Sequence, residues 1–243
     1  MYLDGASWTV LMPRPGEAAR FATGVTDDSV RLLANVASIE FLAHSLWALA
    51  FQRRAHTALL FDLPMMVPNP VTDESSRPVV LVNSELGAPS PTMLDELRKF
   101  LPVSSKSDGT VRLRTAGLDR ALADPNAFAA KERSDPEASP WDPSEWDQWV
   151  TRQAGLVTCV APAAVLRAYA AAAAEFGAFS WESLDGSEPI GADDVLVFDR
   201  TLLERATSLR MQRASKFPGR GLADLTGAER AQLWTTIARA NSI

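Results

Sequence analysis

Two runs, TALLF (57–61) and PVVLVN (78–83), are apolar at nearly every consecutive position, and this constrains the fold more than any other feature of the chain. A strand sends successive side chains to opposite faces, so a strand with one wet face alternates apolar and polar residues. Runs that do not alternate need cover on both faces, which is the usual situation of strands held between helical layers. Four more short runs read as strands: SWTVLM (7–12), TVRLR (110–114), GLVTCV (155–160) and DVLVF (194–198). They are rich in Val and Leu and bounded by Pro, Gly, Asp or Ser. The expected fold class is α/β, with a mixed or mostly parallel sheet of about five to six short strands between helical layers.

Helical patterns lie between these runs. Thr26 or Asp27 is placed to cap a long buried helix over 27–54, which contains the most apolar window, LLANVASIEFLAHSLWALAF (32–51). Asn35, Glu40 and His44 interrupt that window, and an ionised Glu at mid-bilayer costs about 2.5–3.5 kcal/mol, so a core helix is expected and not a membrane span. In SPTMLDELRKFL, Ser90 caps, Pro91 takes the first helical position, and Leu94 and Leu97 share a face. PAAVLRAYAAAAAEFG (162–177) opens on Pro and ends on Gly. Thr226 and Glu229 have the spacing of a capping box for a last helix.

The 243 residues carry a net charge of -6, and 47% of them are apolar, enough for a real core. An acidic chain is not an all-over binder of nucleic acid, since that affinity comes from many Lys and Arg contacts with phosphates. The charge is uneven: residues 117–199 hold five basic against fifteen acidic side chains, whereas 200–243 hold eight against three. Between an N-terminal α/β part (1–123) and a C-terminal α/β part (150–243) runs an acidic connecting arm, 124–149, with four prolines and Trp141, Trp146 and Trp149. The two parts are expected as separate units or as one composite domain. No internal repeat of 20–50 residues is visible. One cysteine, Cys159, and two histidines exclude an internal disulfide and a Cys/His zinc set. With no signal-peptide pattern at the start, the expected compartment is the reducing cytosol. High Arg and Ala content suits a GC-rich bacterial or phage genome.

Candidate chemistry gathers in three places. Asp62, Glu85 and Asp199 follow predicted strands; if those strands run parallel and adjacent, the carboxylates meet at one sheet end and form a catalytic centre for Mg²⁺, a hard cation that prefers oxygen ligands. The bland alternative is that each caps a turn. Glu40 and His44 lie one helical turn apart, where a His satisfied by its neighbouring carboxylate inside the core is favoured over an acid–base pair. VNSELGAPSP (82–91) lacks the glycines of a phosphate loop and reads as a capped turn, and Cys159 reads as an inert core thiol.

In the basic tail, TSLRMQRASKFPGRG, Arg210 and Arg213 fall near the apolar arc of a helix over 200–214, while Lys216 and Arg220 occupy the following turn. These four cations are candidates for an anion, for the chain's own acidic arm or for a partner surface, and the three tryptophans are candidates for packing on that tail or for partner docking. Two functions result. The favoured one is a non-catalytic interaction protein or complex subunit that binds a protein partner through the Trp-bearing arm and basic tail, without a cofactor. The alternative is a metal-dependent enzyme, with Mg²⁺, acting on a phosphorylated substrate or nucleic acid.

Overall fold

The computed structural model describes residues 1–14, 19–25, 30–69, 75–103, 107–113, 115–124, 127–128, 150–179, 185–189, 195–199, 211–220, 224–226, 228–229 and 232–233. The strands are β1 (Tyr2–Leu3), β2 (Ala6–Ser7), β3 (Thr9–Leu11), β4 (Phe21–Val25), β5 (Val30–Ala34), β6 (Thr57–Phe61), β7 (Val79–Asn83), β8 (Val150–Gln153), β9 (Leu156–Ala161), β10 (Asp185–Pro189) and β11 (Val195–Asp199). The longer helices are α1 (Val36–Ala50), α2 (Pro91–Lys99), α3 (Leu118–Ala123) and α4 (Ala163–Phe179). Residues 211–216 are also helical.

The class is mixed α/β, as the patterning predicts, but the strands form more than one sheet. A five-stranded sheet has the order β3-β6-β7-β9-β8, a four-stranded sheet the order β10-β11-β5-β4, and β1 and β2 form a small hairpin. Both larger sheets are mixed: β3 with β6, β7 with β9 and β11 with β5 are parallel, and the other pairs are antiparallel.

The non-alternating strands are covered on both faces. Leu59, Phe61, Val79, Leu81, Val157 and Cys159 join one buried cluster with α1 and α4. The intervening Ala58, Leu60, Val80, Val82 and Leu156 join a second cluster with Leu3, Trp8 and the inner face of α2. Helix α2 forms as its sequence dictates: the Ser90 hydroxyl accepts from Met93 N–H at 3.0 Å, Pro91 stands at the start, and Met93, Leu94 and Leu97 are buried. Burying each of these three side chains contributes roughly 1.5–3 kcal/mol.

Three expectations are corrected. The helix over 27–54 is instead strand β5 followed by the shorter α1, because Asn35 breaks the run and caps, its side chain accepting from Ser38 N–H. The apolar run VRLLA lies between β4 and β11, a long-range pairing that local periodicity does not reveal. SWTVLM divides at Trp8 into β2 and β3, with Trp8 N–H donating to the Met1 carbonyl. TVRLR is not a strand over its described residues 110–113, and Val111 stays 56% exposed, since strand propensity without a neighbouring edge does not make a ladder.

The connectivity repeats. Residues 21–83 run β4-β5-α1-β6-β7, and residues 150–199 run β8-β9-α4-β10-β11, each a hairpin, a helix and a second hairpin. Each unit gives one hairpin to each sheet. The junctions correspond too: β7 joins β9 in parallel with Asn83 opposite Ala161, and β11 joins β5 in parallel with Phe198 opposite Ala34. Ala34 and Ala161 are the last strand residues before α1 and α4. Those two helices pack on each other at the centre. The parts before and after the 124–149 segment therefore share both sheets.

Candidate functional site

Asp62 follows β6 and is buried at 5% exposure. Both its oxygens accept backbone hydrogen bonds, Oδ1 from Leu63 N–H at 2.6 Å and Oδ2 from Val103 N–H at 2.7 Å. It caps the 3-10 turn Leu63–Met65 and ties that turn to the chain after α2. Glu85, in the 3-10 turn Ser84–Leu86 after β7, is exposed, and its Oε1 accepts from Ala163 N–H at 3.1 Å. It thus satisfies the first amide of α4, where a carboxylate also complements the helix dipole.

These carboxylates are not brought together. Because β6 and β7 are antiparallel, their carboxyl ends lie at opposite ends of the sheet, separated by the length of β7, roughly 13 Å. Asp199 ends β11 in the other sheet, its Cα registered with Asp185 of β10. The arrangement needed for a shared cation, adjacent parallel strands, is absent for β6 and β7. Among the described residues no group of three His, Cys, Asp or Glu side chains is placed to hold a metal ion.

Glu40 and His44 are exposed, a correction to the expected buried pair. They lie on the solvent side of α1, whose opposite side buries Ile39, Leu42, Ala43 and Leu46. The 82–91 stretch is a capped turn as expected: the Asn83 side chain accepts from Glu85 N–H at 3.1 Å, and Ser90 caps α2. Gly87 adopts φ +120°, and a Cβ there would lie 2.8 Å from His56 Cδ2, so the His56 ring packs against the glycine and leaves no room for a side chain. Cys159 is buried in β9.

In the basic tail, Arg220 finds its anion nearby. Its Nη1 and Nη2 donate to Glu229 Oε1 at 2.9 Å and Oε2 at 3.1 Å, the second nitrogen also donates to the Asp224 carbonyl, and the guanidinium lies 5.7 Å from the Phe217 ring centre. Glu229 forms the expected capping box, accepting from Thr226 N–H at 2.7 Å while its own N–H donates to Thr226 Oγ1 at 3.3 Å. The Arg220 hydrogen bonds, then those from Thr226, lower the Glu229 carboxyl to about 2, and the same pairing raises Arg220. Arg213, half-buried, turns its Nη1 to the Arg220 carbonyl at 3.2 Å, while Lys216 is exposed and is the last helical residue, not part of the following turn as expected. Arg210, Trp141, Trp146 and Trp149 lie outside the described residues.

A surface cluster that sequence reasoning missed lies where α1 ends. Phe51 is 56% exposed, its ring 5.4 Å from that of Trp47, and the Arg167 guanidinium of α4 stands 5.7 Å from the Phe51 ring centre. Trp47 also meets Phe128, at 5.7 Å between ring centres. The only available signal was Trp47 and Phe51 one turn apart on an apolar helix, a pattern that reads as core. No helix among the described residues is long and apolar enough to cross a membrane. No protein-family model, curated protein or solved structure significantly matches the chain.

Proposed function

We propose that the protein is a non-catalytic interaction subunit that docks a partner chain through the acidic Trp-bearing arm, the basic C-terminal segment and the surface where the arm leaves the body. The observation that carries this is the cluster of Phe51, Trp47, Arg167 and Phe128, in which a half-exposed aromatic ring and a guanidinium share one surface with a residue of the arm. Phe51 and Arg167, backed by the buried Trp47, are of residue types enriched at protein interfaces. Support also comes from the carboxylates, since Asp62 and Glu85 are engaged in holding backbone amides.

Native purification followed by mass measurement tests the proposal. A defined complex is expected, lost on replacing Trp141, Trp146 and Trp149 by Ala and weakened at least tenfold by Phe51→Ala, with the melting curve of the free protein little changed. A protein that purifies only as a monomer, or a complex indifferent to all four substitutions, refutes it.

A further inference from the structure

An apolar cavity of about 50 Å³ lies between the two helices and the strands that flank them. Its walls come from both ββαββ units, in corresponding pairs at one constant sequence offset: Val30 with Val157, Leu32 with Cys159, Leu42 with Tyr169, and Leu46 with Ala173. The first member of each pair belongs to β5 or α1, the second to β9 or α4. Where the first unit carries Leu32 and Leu46, the second carries the smaller Cys159 and Ala173, and where the first carries Leu42 the second carries the larger Tyr169. The void therefore has a cause. Two corresponding positions are truncated on one side of the lining and one is enlarged, so the paired side chains lose volume on balance, and close-packed surroundings relax only partly around missing atoms.

The walls are apolar, aliphatic side chains joined by Cys159 and Tyr169, so a ligand there gains dispersion contacts and finds few hydrogen-bond partners. Apolar cavities admit apolar guests; one of ~150 Å³ takes benzene or xenon, and this one is roughly a third as large and partly open. From this matched but truncated lining we infer that the protein holds a binding site for a small apolar molecule, of the size of a xenon atom or a two- to three-carbon hydrocarbon, at the junction of its two units. The site is independent of partner docking. A guest there touches residues of both units and so stabilises their union, as any ligand of the native state does.

Xenon is the probe, and methyl-resolved NMR of the full chain is the measurement. Saturable shifts are expected at the methyls of Leu32, Leu46 and Val157, with methyls of the α2 cluster unmoved. Ala173→Leu, which restores the counterpart of Leu46, is expected to abolish the saturable shifts and to raise the melting temperature. Absence of saturable shifts in the wild type, or shifts that persist in Ala173→Leu, overturns the inference. If Ala173→Leu does not fold, Cys159→Leu makes the same test from the other truncated position. Failure of both variants to fold overturns the inference as well, because it means that no vacant volume exists there.

Discussion

The two ββαββ units share one connectivity but secure their helices differently. Helix α1 is capped from within its own unit by Asn35, whose side chain accepts from Ser38 N–H at 3.0 Å. At the corresponding place before α4 stands Pro162, which has no side-chain acceptor, and the first amide of α4 is held by Glu85 from the end of β7 in the first unit. The second hairpins differ as well. The connection 62–78 in the first unit covers the outer edge of β4, with Val67 N–H donating to the Phe21 carbonyl and Thr23 N–H to Ser76 Oγ, whereas only positions 190–194 join β10 to β11. The first unit thus carries its own cap, and it also supplies the cap of its counterpart.

Breaking the core on the side of the first unit should have the largest effect. Leu46→Ala makes both members of the pair Leu46 and Ala173 small and enlarges an existing void, so a loss of about 3–5 kcal/mol is expected in urea unfolding. Next comes the long connection. Asp62→Asn turns one of two acceptor oxygens into a donor facing a backbone N–H, and an amide left without a partner there costs about 1–3 kcal/mol. The two caps offer a direct comparison: Asn35→Ala and Glu85→Ala should each cost about 0.5–2 kcal/mol, and hydrogen exchange should show fraying of α1 in the first variant and of α4 in the second. Should Glu85→Ala leave α4 protected, the cap shared between the units has no energetic content.

The smallest effect belongs to the tail. The Glu229 carboxyl is depressed from 4.5 to about 2 in the folded protein, so its contribution is fully present above pH 4.5 and is lost as the pH falls toward 2. Glu229→Gln should flatten that part of the pH dependence of the tail's exchange rates. The side chain is at the surface, so salt should weaken the effect.

What could be read in the sequence was local. Ser90-Pro91 with Leu94 and Leu97, the Thr226–Glu229 box, and the strands TALLF and PVVLVN each carry their signal within a few residues, and all four appear where expected. The strand VRLLA was hidden because an apolar run reads equally as helix or strand until its partners are known, and its partners are β4 and a segment beginning at Val195. The repeat was hidden by its own divergence. Leu32 corresponds to Cys159 and Leu46 to Ala173, the connections between the hairpin strands differ in length, and the spacing of the units exceeds any short period. For the site, the acidic residues after the strands were found, but whether they meet depends on strand direction, which no single strand encodes. Phe51 and Arg167 come from opposite ends of the chain's central helix pair, and only the packing of α1 on α4 makes them neighbours.

The exchange of hairpins between units also governs how the chain is made. Strand β5 is synthesised by residue 34, yet its parallel partner begins at residue 195, so one flank of β5 stays open while the intervening chain is translated. At roughly 5–20 residues per second this interval is on the order of ten to thirty seconds. The β7 edge waits in the same way for β9. The newborn first unit therefore shows two apolar strand edges to its surroundings long before their proper partners exist, and its yield in a cell should depend on chaperone supply and translation speed more than the stability of the finished fold would suggest.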